Sequence, residues 1–402
     1  MLLFDAPHRA FFLAGLAQIL LALLLWSLWL LGAFAGAYTP PALPVSAIPI
    51  HGFLMIFGIF PFFISGFLLT TYPRWMQRPP VARGEYRRPF LARAAGLVLV
   101  YVGLGAGVSV VIAGLALMMI GDALTTYALL RVYRGAAAKA RRGVGVFQVA
   151  MAGEIVAIGL YASGLAHASP AAISWAIRLG LFGFLLPTLF AVGYRMIPFF
   201  SASVLSDYRR APSHPAVPLA FFALGLAHVV FASVALAPAL VVVDVALAAL
   251  AGYHAGRWFR ADAVRHGLLF LLFAAFVWLS GGLWLYAIHD ASRAASGDLL
   301  GFAPLHALGI GFALSMVVAM VTRVTRGHSG RPLESDRLSW VALAGVQVAA
   351  LLRIAASIRV IDAAAGINLS VIAAPVALLA LSPWAVSYGI MLITPRLDGR
   401  PG

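Results

Sequence analysis

The 402-residue sequence contains no cysteine. Disulfides, thiolate zinc sites, cysteine-ligated iron–sulfur clusters and thioether-linked haem are therefore excluded. Any metal must be held by His, carboxylate, Met or backbone groups. Charge is scarce too: Asp, Glu, Lys and Arg make up 10% of the chain, against about 25% in an average soluble domain. The acidic half is the scarcer, 13 Asp+Glu against 28 Lys+Arg, which leaves a net charge of +15. What the chain has instead is apolar surface, 63% of its residues. A soluble fold cannot hide that much, so the sequence describes an all-α, polytopic membrane protein. A cytosolic enzyme, a nucleic-acid-binding module and a disordered scaffold are excluded; the partner implied is the lipid bilayer.

A bilayer-crossing helix needs about 20 mostly apolar residues. Twelve such runs are predicted, at 10–34, 48–72, 91–107, 109–133, 145–167, 171–196, 216–235, 238–258, 265–287, 302–322, 338–358 and 367–393. The third and fourth are hardly separated, because the break falls only on Gly103, Gly105 and Gly107. Ala33-Phe34-Ala35 resembles a signal-peptidase site, but the apolar run before it is long and its flank weakly basic, so the first helix is expected to be retained. The loops are short, and a single transmembrane domain is expected over residues 1–402.

With both termini cytoplasmic, all but four of the 28 Lys and Arg residues fall on the inner side. The exceptions are Arg178, Arg293, Arg353 and Arg359. Cytoplasmic loops collect positive charge in this way, and an odd miscount of spans would have scrambled the pattern. Three helices end alike on the inner side: the second at Tyr72-Pro73-Arg74, the sixth at Tyr194-Arg195-Met196-Ile197-Pro198 and the tenth at Thr322-Arg323. That spacing suits three four-helix arcs around an axis. It is also what arginines capping inner helix ends would give.

Titratable groups inside spans are expensive and mark functional candidates. His51 and His306 lie one turn inside the outer ends of helices 2 and 10. Two neutral imidazoles at one depth can clamp a haem iron from both sides; the alternative is two interfacial histidines bonded to backbone carbonyls. Arg353 in helix 11 and Arg178 near the outer end of helix 6 need anionic partners, which haem propionates or ordinary salt bridges would supply. Asp122 and Glu154 sit near mid-membrane, either as a proton path or as paired structural carboxyls. His228, alone in helix 7, is read as structural. The loop after helix 10, through Arg326, His328 and Arg331, reads as a solvated basic loop, or as one that holds an anion or orders the inner face.

Two stretches are more specific. His306-Ala-Leu-Gly-Ile-Gly, continuing to Thr322-Arg323-Val-Thr-Arg-Gly-His328-Ser-Gly-Arg331-Pro-Leu, resembles the signature of the NnrS family. His51, Met55-Ile56-Phe57-Gly58, Gly66-Phe67-Leu68-Leu69-Thr70 and Gly193-Tyr194-Arg195-Met196-Ile197-Pro198 resemble it again. The resemblance implies a bacterial inner-membrane protein linked to denitrification and nitrosative stress, containing haem and copper. Carried over by position, the family residues are His51, Arg195, His306, Arg323, His328 and Arg331. Where the family usually has a second His and a Glu in helix 2, this chain has Phe53 and Leu54, and where it often has a His in helix 9 it has Phe273. Copper is therefore less expected than haem.

A looser similarity of position links His51, His306 and Arg353 to the low-spin haem site of haem–copper oxidases and nitric oxide reductases, without the His cluster their second metal needs. The expectation is a haem b protein of the nitric oxide response, with His51 and His306 axial and Arg353 and Arg178 on the propionates. Its small-molecule partner would be nitric oxide or a related nitrogen species, with an electron donor the sequence does not name. The rival readings are a reductase of such species, and a transporter or metal- or haem-handling protein.

Overall fold

In the computed structural model the described residues are 2–210, 213–295, 297–365 and 368–399. They hold twelve helices long and apolar enough to cross a membrane: α1 Pro7–Ala35, α2 Ala47–Trp75, α3 Arg83–Ala106, α4 Val108–Arg134, α5 Val146–Ala166, α6 Pro170–Val204, α7 Ala216–Ser233, α8 Ala237–Trp258, α9 Gly267–Ala295, α10 Ala303–His328, α11 Arg337–Ala355 and α12 Ser370–Ile393. All twelve predicted spans are present. The break between α3 and α4 is a single residue, Gly107, at φ +126°, a backbone conformation that side chains disfavour. Several helices run past the predicted limits. Of these, α3 begins at Arg83 rather than at 91. The side chain of Arg359, one of the four outer-face cations, lies outside the described residues.

The helices are not equivalent. In α2, α6 and α10 the apolar window is 89%, 83% and 78% buried, whereas in every other span it is 56% or less. A helix hydrophobic all round belongs in the interior, and one with a lipid-facing side at the rim. The second helix of each group of four is thus central: α1–α4, α5–α8 and α9–α12 form three arcs around α2, α6 and α10. The rim is closed where α12 packs along α1. Close backbone approach joins rim neighbours. A Cβ on Gly96 of α3 would come within 2.6 Å of the Gly114 carbonyl of α4, and Gly114 meets Gly96 in return.

The three central helices share a further feature. Each winds as π-helix just after its outer-end polar residue: Leu54–Ile59 after His51, Leu179–Leu185 after Arg178, and Ala307–Leu314 after His306. Such segments often occur at functional sites. Halfway down, the three helices converge on an apolar plug. There Phe63, Phe67, Leu189, Val192, Met316 and Met320 surround a cavity of about 30 Å³.

Candidate functional site

The axis of the bundle carries a polar group at either end of that plug. At one end, α2 and α10 bring His51 and His306 together, and Arg353 of α11 lies within electrostatic reach of both. The His306 Nδ1 is 2.7 Å from the carbonyl oxygen of Phe302, one turn earlier. A carbonyl only accepts, so Nδ1 carries the proton and Nε2 keeps its lone pair. The His51 ring is stacked on Trp26 of α1 (centroids 3.8 Å, 14° apart), and Trp26 is stacked on Trp29. The Nδ1 of His51 is buried and has no hydrogen-bond partner. At Gly309, one turn below His306, a Cβ would meet nothing within 4 Å, so the face of α10 beneath the imidazole borders open space. Arg353 donates to Ser357 Oγ at 3.0 Å, and Asp362 is its acidic neighbour.

Arg178 is not part of this group. Its Nη1 donates to Ser233 Oγ at 3.2 Å, on α7, and it lies within electrostatic reach of His228. His228 is not alone either. Its Nδ1 is 2.6 Å from Asp244 Oδ1 of α8. With Asp290 of α9 the three side chains offer ligand atoms all within 4.8 Å of one another, and all three residues are buried. The sequence reading missed this cluster because its members stand on three helices. The available signal was that each is a lone titratable residue near an outer helix end.

Asp122 and Glu154 are brought together by Arg93, which lies within the third predicted span but was counted among the inner-side charges. The Arg93 Nη1 donates to Asp122 Oδ1 and, at 3.1 Å, to Glu154 Oε1. All three side chains are buried at about 1% exposure. The signal in the sequence was the apolar surroundings of Arg93, Phe90-Leu91-Ala92 before it and Ala94-Ala95 after it.

At the other end, the tips of α2, α6, α8 and α10, with the segments beyond them, line a half-open chamber of about 800 Å³. Arg195 and Arg323 line it, as do Arg74, Arg210 and Arg257, with His328 and His254 in its wall. Arg195 lies over the Trp75 ring (4.8 Å), Arg323 over Phe200 (3.6 Å) and Arg210 over Phe199 (4.8 Å). His328 packs on the His8 ring at 4.4 Å, and its carbonyl accepts from Arg396 Nη1 at 3.2 Å. The loop beyond it is stitched to the C-terminal segment, with the Leu397 N–H on the Ser329 carbonyl. Gly330, at φ +73°, lies beside Asp398, where a Cβ would come within 3.0 Å of the carboxyl carbon. Arg331 does not line the chamber; its Nη1 is buried without a hydrogen-bond partner. The motif loop is thus held against the C-terminal segment.

A helical bundle with three central spans, an imidazole pair at one end of its axis and an arginine-lined chamber at the other defines a multi-pass membrane protein with axial sites. The chain matches the model of the NnrS protein family over residues 2–396 and belongs to that family. Membership implies a role in the nitric oxide response. No curated protein shows a match to the sequence.

Proposed function

We propose that this protein is a haem b protein of the nitric oxide response in the bacterial inner membrane, with His51 and His306 as the axial ligands. The observation that carries this reading is the pairing of two central-helix imidazoles at one depth, His306 with its Nε2 free and His51 with an orphaned Nδ1. The donor set fits the group: two neutral nitrogen donors, open space at Gly309, and a guanidinium within reach for a propionate. When bound, haem would supply one-electron chemistry and, if one of the two histidines dissociates, a site for nitric oxide. The residues around it have separable tasks. The Phe302 carbonyl fixes the tautomer and orientation of His306. Trp26 covers one face of His51. Arg353 holds a carboxylate near the outer surface. The positive-inside pattern supports a periplasmic position for this end.

Copper, the family's second metal, has no donors at Phe53, Leu54 or Phe273, which are apolar and buried. The set that suits a divalent ion is His228, Asp244 and Asp290, one imidazole and two carboxylates.

The test is an optical spectrum of the purified protein, oxidised and dithionite-reduced, with metal analysis of the same sample. Sharp reduced α and β bands, with about one haem iron per chain, are expected. His51→Ala and His306→Ala should each lose them. Full haem occupancy with an unchanged spectrum in either variant overturns the axial pair. Sustained nitric oxide consumption with an electron donor would turn the reading toward a reductase.

A further inference from the structure

The chamber at the opposite end of the axis has no part in the haem reading, and its charge is not balanced by the protein. Arg74, Arg195, Arg210, Arg257 and Arg323 line it, and none has a carboxylate within salt-bridge distance among the described residues. Among the described residues no Asp or Glu lines it. Arg396, also in the wall, is paired with Asp398. A positive-inside loop would carry such charge dispersed in solvent. Here it converges on one cavity of about 800 Å³.

The convergence follows the threefold plan. Arg74 ends α2, Arg195 lies in the last turns of α6, and Arg323 in the last turns of α10. Each central helix thus delivers one guanidinium into the chamber from its own direction. Aromatic rings hold them in place: Trp75 under Arg195 and Phe200 under Arg323. A cation resting on a ring is oriented without being neutralised, so its N–H groups stay available. His254 adds a buried imidazole to the wall, 7% exposed, whose Nδ1 has no hydrogen-bond partner. Preorganised cations with unused donors, in a cavity far larger than a single ion requires, call for a ligand with several negative charges on neighbouring oxygens. Tetrahedral phosphate groups present acceptors in three directions, which matches forks arriving from three helices.

We infer that this chamber binds an anion carrying two or more phosphate groups, with Arg195 and Arg323 as its principal contacts. The chemistry is the same whether the phosphates belong to a soluble molecule or to lipid headgroups.

The experiment uses the full-length protein in nanodiscs of neutral phosphatidylcholine, titrated calorimetrically with inorganic pyrophosphate. Saturable binding that weakens as salt is raised is expected. Arg195→Gln or Arg323→Gln should weaken it at least ten-fold. Arg131→Gln, which removes an exposed arginine paired with Glu85 outside the chamber, should leave it unchanged. Arg195→Lys and Arg323→Lys keep the charge and lose the fork, and should weaken binding less; they carry the test if a Gln variant fails to elute as folded protein. In nanodiscs containing cardiolipin, whose headgroup carries two phosphates, competition with pyrophosphate that disappears in Arg195→Gln would assign the same site to a headgroup. Absence of saturable pyrophosphate binding at low salt, without such competition, overturns the inference. So does an equal loss in Arg131→Gln.

Discussion

The Arg93 guanidinium of α3 donates through Nη2 to the carbonyl oxygen of Phe57 in α2. The helical donor four residues beyond Phe57 would be Pro61, which has no N–H. A proline is tolerated inside a membrane helix only where something else answers the freed carbonyl, and here a neighbouring arginine does so. The same guanidinium holds Asp122 and Glu154, so one side chain ties α2, α3, α4 and α5 together at the π-helical stretch below His51.

Removing Arg93 should leave two carboxylates buried without a cation. Arg93→Ala is expected to cost about 3–5 kcal/mol, the penalty for breaking a buried ion pair from one side. Thermal unfolding in detergent would register it as a clear drop in midpoint. Glu154→Gln removes the surplus negative charge and should leave the midpoint near wild type. A proton path through the pair would show differently, as slowed proton uptake in Glu154→Gln with an unmoved midpoint.

Arg353, and after it Arg178, were candidates for the propionates in sequence, and the fold separates them. Arg353→Gln should weaken haem retention by about 1.5–3 kcal/mol, the worth of a hydrogen bond to a charged group. Arg178→Gln should leave the haem spectrum unchanged, because that side chain is turned to Ser233. Haem transfer to apomyoglobin, timed for both variants, decides between them.

Asp336 caps α11 by accepting from the Ser339 N–H at 2.8 Å and the Ser339 hydroxyl at 2.7 Å, and it also accepts from Tyr388 and Arg326. Partial burial pushes its carboxyl up, but these hydrogen bonds and the Arg326 charge outweigh burial and hold it below the ordinary 3.8. A depressed carboxylate contributes stability that is complete above its unfolded pKa and is lost as pH falls through the folded one. The unfolding midpoint should therefore fall more steeply below about pH 4 in the wild type than in Asp336→Asn. At pH 7, Asp336→Ala should cost about 1–2 kcal/mol as a lost helix cap.

Two glycines of α3 offer a matched pair. Gly103 is packed against Val111 of α4, where a Cβ would come within 2.6 Å of backbone nitrogen, whereas Gly105 faces open space. Gly103→Ala is expected to destabilise by about 1–3 kcal/mol through overpacking. Gly105→Ala should be neutral or slightly stabilising, since alanine is the better helix former. Chemical-denaturant midpoints of the two variants should move in opposite directions or differ by that amount.

Membrane architecture is legible in a sequence of this kind because each span must satisfy its own backbone hydrogen bonds and bury its own apolar run. Count, order and the fourfold spacing of the inner ends are properties of local stretches. His51 and His306 could be paired by depth for the same reason. The role of Arg93 could not be read, because its partners Asp122 and Glu154 lie on two other helices, and an arginine near the start of a predicted span passes for an inner-side charge until they are seen. His228, Asp244 and Asp290 escaped for the same cause.

By itself, then, the sequence determined twelve helices, their sidedness pattern, the family motifs and the two imidazoles at one depth, all of which follow from hydrophobicity and position along a single helix. Only the tertiary structure decided that α2, α6 and α10 are central, that Arg178 turns from His51 toward His228, that Arg93 belongs to the interior, and that Arg74, Arg195 and Arg323 face one chamber. Those facts depend on how helices rotate about their axes and which neighbours they meet. Packing sets that rotation, through close glycine contacts between rim helices and π-helical turns in the central ones.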